Sequence, residues 1–163
     1  MRSTRTALPI VILLLGVAMV CISPVQASQY VGEFCFKLRQ PADPTWGPEF
    51  LTLGISLEGD SHYSVNGRWT YESGQEADAD PVNGNMEIIG GRLEVTLTAT
   101  PSEEVATNAG LFGTTVVQLR INPGTLSGTF LAMTNLYDIG AGTFDPPEYG
   151  AGTVERIANC VIP

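Results

Sequence analysis

The chain's only histidine, His62, follows Asp60 and Ser61, so an imidazole, a carboxyl and a hydroxyl stand side by side. Those three groups carry out nucleophilic hydrolysis when the carboxylate orients the imidazole and the imidazole touches the hydroxyl. The spacing works against this. His62 opens a run in which Tyr63, Val65, Trp69 and Tyr71 alternate with His62, Ser64, Asn66, Arg68 and Thr70, the period of two expected of a half-buried strand. Adjacent strand residues point to opposite faces, which separates Ser61 from His62 and puts His62 in the solvent-facing set. No Gly-x-Ser-x-Gly elbow occurs in the chain, and no catalytic residue is assigned.

Metal chemistry is served no better. Glu72, Glu76, Asp78 and Asp80 with Asn83 would be hard oxygen ligands for calcium, but their spacing misses the EF-hand loop and reads as a solvated acidic connection. A single histidine, with cysteines expected to be used in a disulfide, serves zinc or another transition metal poorly. No glycine loop leading into a helix is present to cradle a phosphate. Neither a metal nor a cofactor is expected.

The ends of the chain speak to location. Arg2 and Arg5 precede an apolar run, Ala7 to Val20, and Val25-Gln26-Ala27 closes it with small residues. This is the pattern of a secretory leader over residues 1–27, and the run is short for a membrane span. Cys21 raises the rival of a lipoprotein cut, which the bulky Val20 before it disfavours. The expected product is a single exported domain, 28–163, secreted or periplasmic and not membrane-spanning. Without Arg2 and Arg5 six basic side chains face 17 acidic ones. Such a surface repels phosphate backbones, so nucleic acid is not a partner. Cys35 and Cys160 then remain, one near each end, and export makes a disulfide between them the natural expectation.

The elements that would position all this are strands. Phe34, Phe36 and Leu38 alternate with Cys35, Lys37 and Arg39; Leu51, Leu53, Ile55 and Leu57 with Thr52, Gly54, Ser56 and Glu58; Leu93, Val95, Leu97 and Ala99 with Arg92, Glu94, Thr96 and Thr98. Val117, Leu119 and Ile121 face away from Thr114, Gln118 and Arg120, with weaker runs over Val82–Ile89, Leu126–Met133 and Gly152–Ala158. Eight half-apolar strands joined largely by tight turns predict an all-β fold, an antiparallel up-and-down barrel with no substantial helix. The apolar set lies inside, and Gly67 on that set marks a close approach of a neighbouring strand. The chain ends meet at a seam, with Cys35 on the outer face.

Three connections are long: Arg39–Glu49 with Trp46, the acidic Glu72–Pro81, and Asn135–Gly152 with Tyr137, Phe144 and Tyr149. They follow strands one, three and seven, so a meander gathers them at one mouth. Loops of this length are commonly functional. Inside, Phe34, Phe36, Tyr63, Trp69, Tyr71, Met86 and Phe130 fall on inward faces. Barrels of this size either fill with side chains or hold one small ligand.

Gly32-Glu33-Phe34 at the start of the first strand and Arg156 in the last resemble the calycins, the superfamily of lipocalins, fatty-acid-binding proteins and avidins. Lipocalins have Gly-x-Trp at the first place and an arginine packed over the Trp; here the aromatic is Phe34, and no helix follows the last strand. The resemblance implies a calycin-like barrel with Arg156 against Phe34 across the seam, and carries over no ligand residue.

Three functional readings follow. The first is a binder of a small apolar or amphipathic molecule, in or at the mouth of the barrel, through Phe34, Phe36, Tyr63, Trp69, Tyr71 and Phe130. The second is a protein-interaction module, such as an envelope accessory protein or a protease inhibitor, acting through Trp46, Tyr137, Phe144 and Tyr149. The third is a small outer-membrane barrel, in which the same alternation is turned inside out.

Overall fold

The computed structural model describes residues 28–42, 48–59, 62–70, 79–100 and 111–158. Residues 1–27, expected to be a leader, and Asp60, Ser61, Trp46, Tyr71, Glu72, Glu76, Asp78 and Cys160 lie outside them. Among the described residues every regular element is a strand: β1 (Gln29–Arg39), β2 (Glu49–Glu58), β3 (His62–Thr70), β4 (Ala79–Ile89), β5 (Arg92–Ala99), β6 (Leu111–Asn122), β7 (Ser127–Asp138), β8 (Thr143–Phe144) and β9 (Glu148–Ile157).

Each strand from β1 to β7 pairs antiparallel with the next, and β9 pairs with both β7 and β1. The ring therefore closes as an eight-stranded up-and-down barrel, with β8 as a two-residue addition against β7. Closure removes the unpaired strand edges that an open sheet would expose.

The alternation read from the sequence decides which side is the core. Leu38, Leu51, Leu97 and Val117 are wholly buried, and Phe36, Leu53, Val65, Trp69, Val82, Met86, Leu119 and Phe130 join them in one cluster. Each such side chain removed from water stabilises by about 1.5–3 kcal/mol. Outside stand His62, Asn66, Arg68, Asn83, Asn85, Thr96 and Arg120. His62 Nδ1 lies 3.5 Å from Glu87 Oε1 on the next strand, and Arg120 Nε donates to Glu94 Oε1 at 2.6 Å. His62 is thus a surface residue of the β3–β4 pair. Asp80 and Asn83 face opposite sides of β4, Asp80 buried and Asn83 exposed.

Two expectations need correction. The segment Asn135–Gly152 is not one long loop: β7 runs on to Asp138, β9 begins at Glu148, and Tyr137 and Phe144 pair in register with their rings edge to face at 5.0 Å. Aromatic pairs across strands extend pairing where glycine-rich composition suggests a loop. Leu126 belongs not to a strand but to the β6–β7 turn, where it is the one described non-glycine with positive φ, 51°. Its N–H donates to Asn122 O at 2.8 Å, and Gly124 N–H donates to Asn122 Oδ1 at 2.8 Å. The asparagine side chain stabilises this turn.

The outward face of β1 to β3 is not uniformly wet. Cys35, Phe50 and Thr70 point away from the core cluster yet are buried, and Lys37 Nζ lies 5.6 Å from the centre of the Phe50 ring. Cys35 sits on the outer face as expected, but it is not solvent-exposed.

Candidate functional site

The antiparallel order sends the connections after β1, β3, β5 and β7 to one end of the barrel. The strand ends that bound the three segments expected at a common mouth share that end, together with the end of β5 and the start of β6. At the other end the strands turn tightly, as at Gly90 and Gly91, with φ of 58° and 75°, values a two-residue hairpin turn requires.

The interior is divided. At the tight-turn end lies an apolar cavity of about 190 Å³, walled by Phe34, Phe36, Tyr63, Met86, Ile121 and Leu126 among others. Arg156 packs on two of its wall residues: the guanidinium lies 5.6 Å from the centre of the Phe34 ring, and Arg156 N–H donates to Leu126 O at 3.0 Å. This is the contact expected across the seam. At the loop end lies a larger chamber of about 590 Å³, lined by Gln40, Glu49, Trp69, Thr115, Phe130, Ala132, Thr134, Glu148, Tyr149 and Gly150. Between the two the barrel is filled by Leu38, Leu51, Leu53, Leu97, Val117 and Leu119.

The aromatic residues expected to line one site are therefore separated. Phe34, Phe36 and Tyr63 belong to the small apolar cavity, and Trp69 and Phe130 to the loop-end chamber. The chamber at the loop-bearing mouth is the more polar of the two. Its chemistry follows from strand parity. Leu51, Leu53 and Ile55 face inward, and one step back along β2 the same face carries Glu49, 7% exposed. On β4 the parity of Val82 puts Asp80 inward, also 7% exposed. Trp69 on β3 stands between these strands, paired with Leu51 on one side and Asp80 on the other.

Trp69 Nε1 donates to Glu49 Oε2 at 2.6 Å, a short charge-assisted contact when the carboxyl is ionised. Burial disfavours the charged form and pushes the Glu49 carboxyl up from 4.5 to about 7; the Trp69 hydrogen bond pulls it down, and the negative charge of Asp80 adds to the rise. Opposite, Thr115 and Thr134 hydroxyls lie 2.9 Å apart and complete a polar rim. The chamber thus has an aromatic floor, hydroxyl and amide groups on its wall, and a carboxyl that changes charge near neutrality.

Glu49 and the inward place of Asp80 were not singled out from sequence. Glu49 read as the end of a proline-rich connection and Asp80 as part of an acidic one. Continuing the alternation of each strand by one inward step is the signal that finds both.

A different surface flanks the chamber. On the outer wall of β6, β7 and β9, Val116 pairs with Met133 and Met133 with Tyr149. Beside them Leu131, Phe112, Phe144 and Tyr149 are 59%, 61%, 75% and 74% exposed. A shallow groove of about 370 Å³ runs over Val116, Leu131, Met133 and Ala151, and Tyr149 borders both this groove and the chamber. Tyr137, Phe144 and Tyr149, expected on loops, stand on β7, β8 and β9. Among the described residues no three histidine, cysteine or acidic side chains cluster as metal ligands. Compared with protein-family models, with curated proteins and with solved structures, the chain matches none.

Proposed function

We propose that the protein is an exported barrel that binds a small amphipathic molecule in the loop-end chamber, acting as a binder rather than an enzyme. The observation that carries this reading is the chamber itself. About 590 Å³ is the size of small-molecule sites, and Trp69 and Phe130 give it an apolar floor beside the polar groups of Gln40, Glu49, Thr115 and Thr134. The closed meander and the Arg156–Phe34 contact agree with a calycin-like relationship, although a shared fold alone would not assign a ligand. The test uses Trp69 as reporter in a Trp46→Phe background, titrated with the neutral fluorophore N-phenylnaphthylamine. Saturable, one-to-one quenching of tryptophan emission is expected. Non-saturable quenching, the same as for free tryptophan, would refute the reading.

The leader and the disulfide belong to the same proposal. Cys35 on β1 lies opposite Ile157 on β9, three residues before Cys160 in the sequence, which supports a Cys35–Cys160 bond made after export. Replacing both by serine should cost about 2–5 kcal/mol of stability, read by thermal unfolding. A reductant that lowers the wild-type midpoint and leaves the double variant unmoved is the accompanying sign.

A second reading, a protein-interaction module, is favoured by the exposed apolar wall around Leu131, Phe144 and Tyr149. The chamber is the stronger ground because the polar groups of Glu49, Thr115 and Thr134 line it together with Trp69 and Phe130. The outer-membrane reading fares worst: a lipid-facing barrel needs apolar residues outside, and here His62, Asn66, Arg68, Asn83 and Arg120 occupy the outer wall.

A further inference from the structure

We infer that the loop-end chamber selects a molecule with a protonated amine beside an aromatic body, and that Glu49 receives the ammonium group. The inference rests on the small-molecule reading and names the class of ligand.

Three independent features of the chamber point the same way. First, its charge is one-sided. Glu49 and Glu148 line it and Asp80 adjoins it, while none of the described residues lining it is cationic. The basic side chains of the surrounding strands turn elsewhere: Lys37 lies over Phe50 on the outer wall, Arg39 is 3.6 Å from Glu155 outside, Arg68 is exposed on the outer face of β3, and Arg156 lies over Phe34 at the opposite end. A carboxylate held out of water is costly unless a cation or donors compensate it, and a bound ammonium is such a cation.

Second, Glu49 retains acceptor capacity. Trp69 Nε1 engages Oε2, and a carboxylate offers roughly four acceptor positions. Third, the chamber's floor is aromatic. Trp69 and Phe130 offer apolar walls to the aromatic body of the molecule while its ammonium group meets Glu49. Thr115 and Thr134 provide hydroxyl acceptors across the chamber for the remaining N–H groups.

The groups facing Glu49 decide how binding responds to pH. On β1 this is Leu38, just after it Gln40, on β3 Trp69, on β4 Asp80, on β9 Glu148 and Tyr149, and on β6 and β7 Thr115 and Thr134. Among these described neighbours the carboxyls are Asp80 and Glu148, and both favour a cation in the chamber. Glu49 is charged above about 7 and neutral below. An alkyl ammonium stays protonated to about pH 10. The amine therefore binds best between those limits and weakens as the solution is acidified. If only the carboxylate form binds, lowering the pH from about 8 to about 5.5 weakens affinity by about 30-fold.

The experiment is a calorimetric titration of the full exported chain with three compounds sharing one aromatic body: naphthylethylamine, naphthylethanol and naphthylacetate. At about pH 8 the amine should bind at least about tenfold more tightly than the alcohol, a difference of the size expected of a desolvated charge pair, and the acid should bind weakest. Acidification should erase the amine's advantage and leave the alcohol unchanged. Glu49→Gln should do the same at pH 8, with a cooperative unfolding transition reporting an intact barrel; the wild-type pH series needs no variant. If the alcohol equals the amine at pH 8, or Glu49→Gln keeps the preference, the amine assignment fails while the small-molecule reading stands. If none of the three binds, both fall.

Discussion

Gly67→Ala, the addition of a single methyl group, is expected to destabilise the barrel by about 3 kcal/mol or more and to lower its unfolding midpoint by about 10 °C or more. Gly67 lies on the inward face of β3 opposite Leu53, and a β-carbon built there would stand 1.8 Å from Thr52 O and 2.9 Å from the Thr52 carbonyl carbon. Those atoms are backbone of the neighbouring strand and have no rotamer to retreat into. Relief requires β2 and β3 to separate, and the flanking ladder hydrogen bonds contribute about 0.5–1.5 kcal/mol each. Gly84, Gly128 and Gly152 meet a neighbouring carbonyl oxygen at 1.9 Å in the same way. Missing side chains on inward faces therefore let a small barrel curl tightly. The control is Gly54→Ala on the outer face of the same strand pair. There the nearest atom is the Asn66 side-chain oxygen at 3.2 Å, which can rotate, so stability should change by less than about 1 kcal/mol. Equal losses in the two variants would show that the close approach at Gly67 does not hold the pair together.

Much of this was legible in the sequence for a physical reason. A half-buried strand must alternate, because its two faces meet two solvents, so each run from Phe34 to Val154 betrays its inward set. A meander with no helices and tight turns has few ways to bury that set, which made closure readable before any coordinate. Gly67 stood out as a gap in the apolar face. The ends of the strands were harder. Glu49 is an acid, and an acid next to Gly47-Pro48 reads as loop; only its register with Leu51 and Leu53 puts it inside. Tyr137 and Phe144 lie in or beside a stretch dense in Gly and Pro; Tyr137 is held in strand by its pairing with Phe112 on β6, and Phe144 by its pairing with Tyr137. The division of the interior into two cavities depends on how Leu38, Leu97 and Val117 meet across the barrel. That meeting joins residues far apart in the chain, and no local pattern encodes it.

Glu49→Gln should make the folded protein more stable than wild type above neutral pH, by about 1–3 kcal/mol, and leave it nearly unchanged near pH 4. Burial raises the Glu49 carboxyl to about 7 in the folded chain, against 4.5 in the ordinary exposed state. Between those values the folded protein holds a proton that the unfolded chain has released. Stability contributed by this proton is therefore full below about 4.5 and lost as pH rises through about 7. Glutamine keeps the shape and a carbonyl oxygen for the Trp69 N–H, but carries no charge to desolvate and none to repel Asp80. Urea unfolding of both proteins at about pH 4, 6 and 8 isolates the difference, because the other carboxyls are common to both. Parallel stability curves would mean that Glu49 is not buried as a carboxyl at all. The expected divergence would show that the barrel keeps, at its loop-bearing end, an acid that costs stability at neutral pH. An acid retained at such a cost is best accounted for by what it meets when the chamber is filled. A cationic ligand should then raise the stability of the wild type and leave Glu49→Gln far less affected.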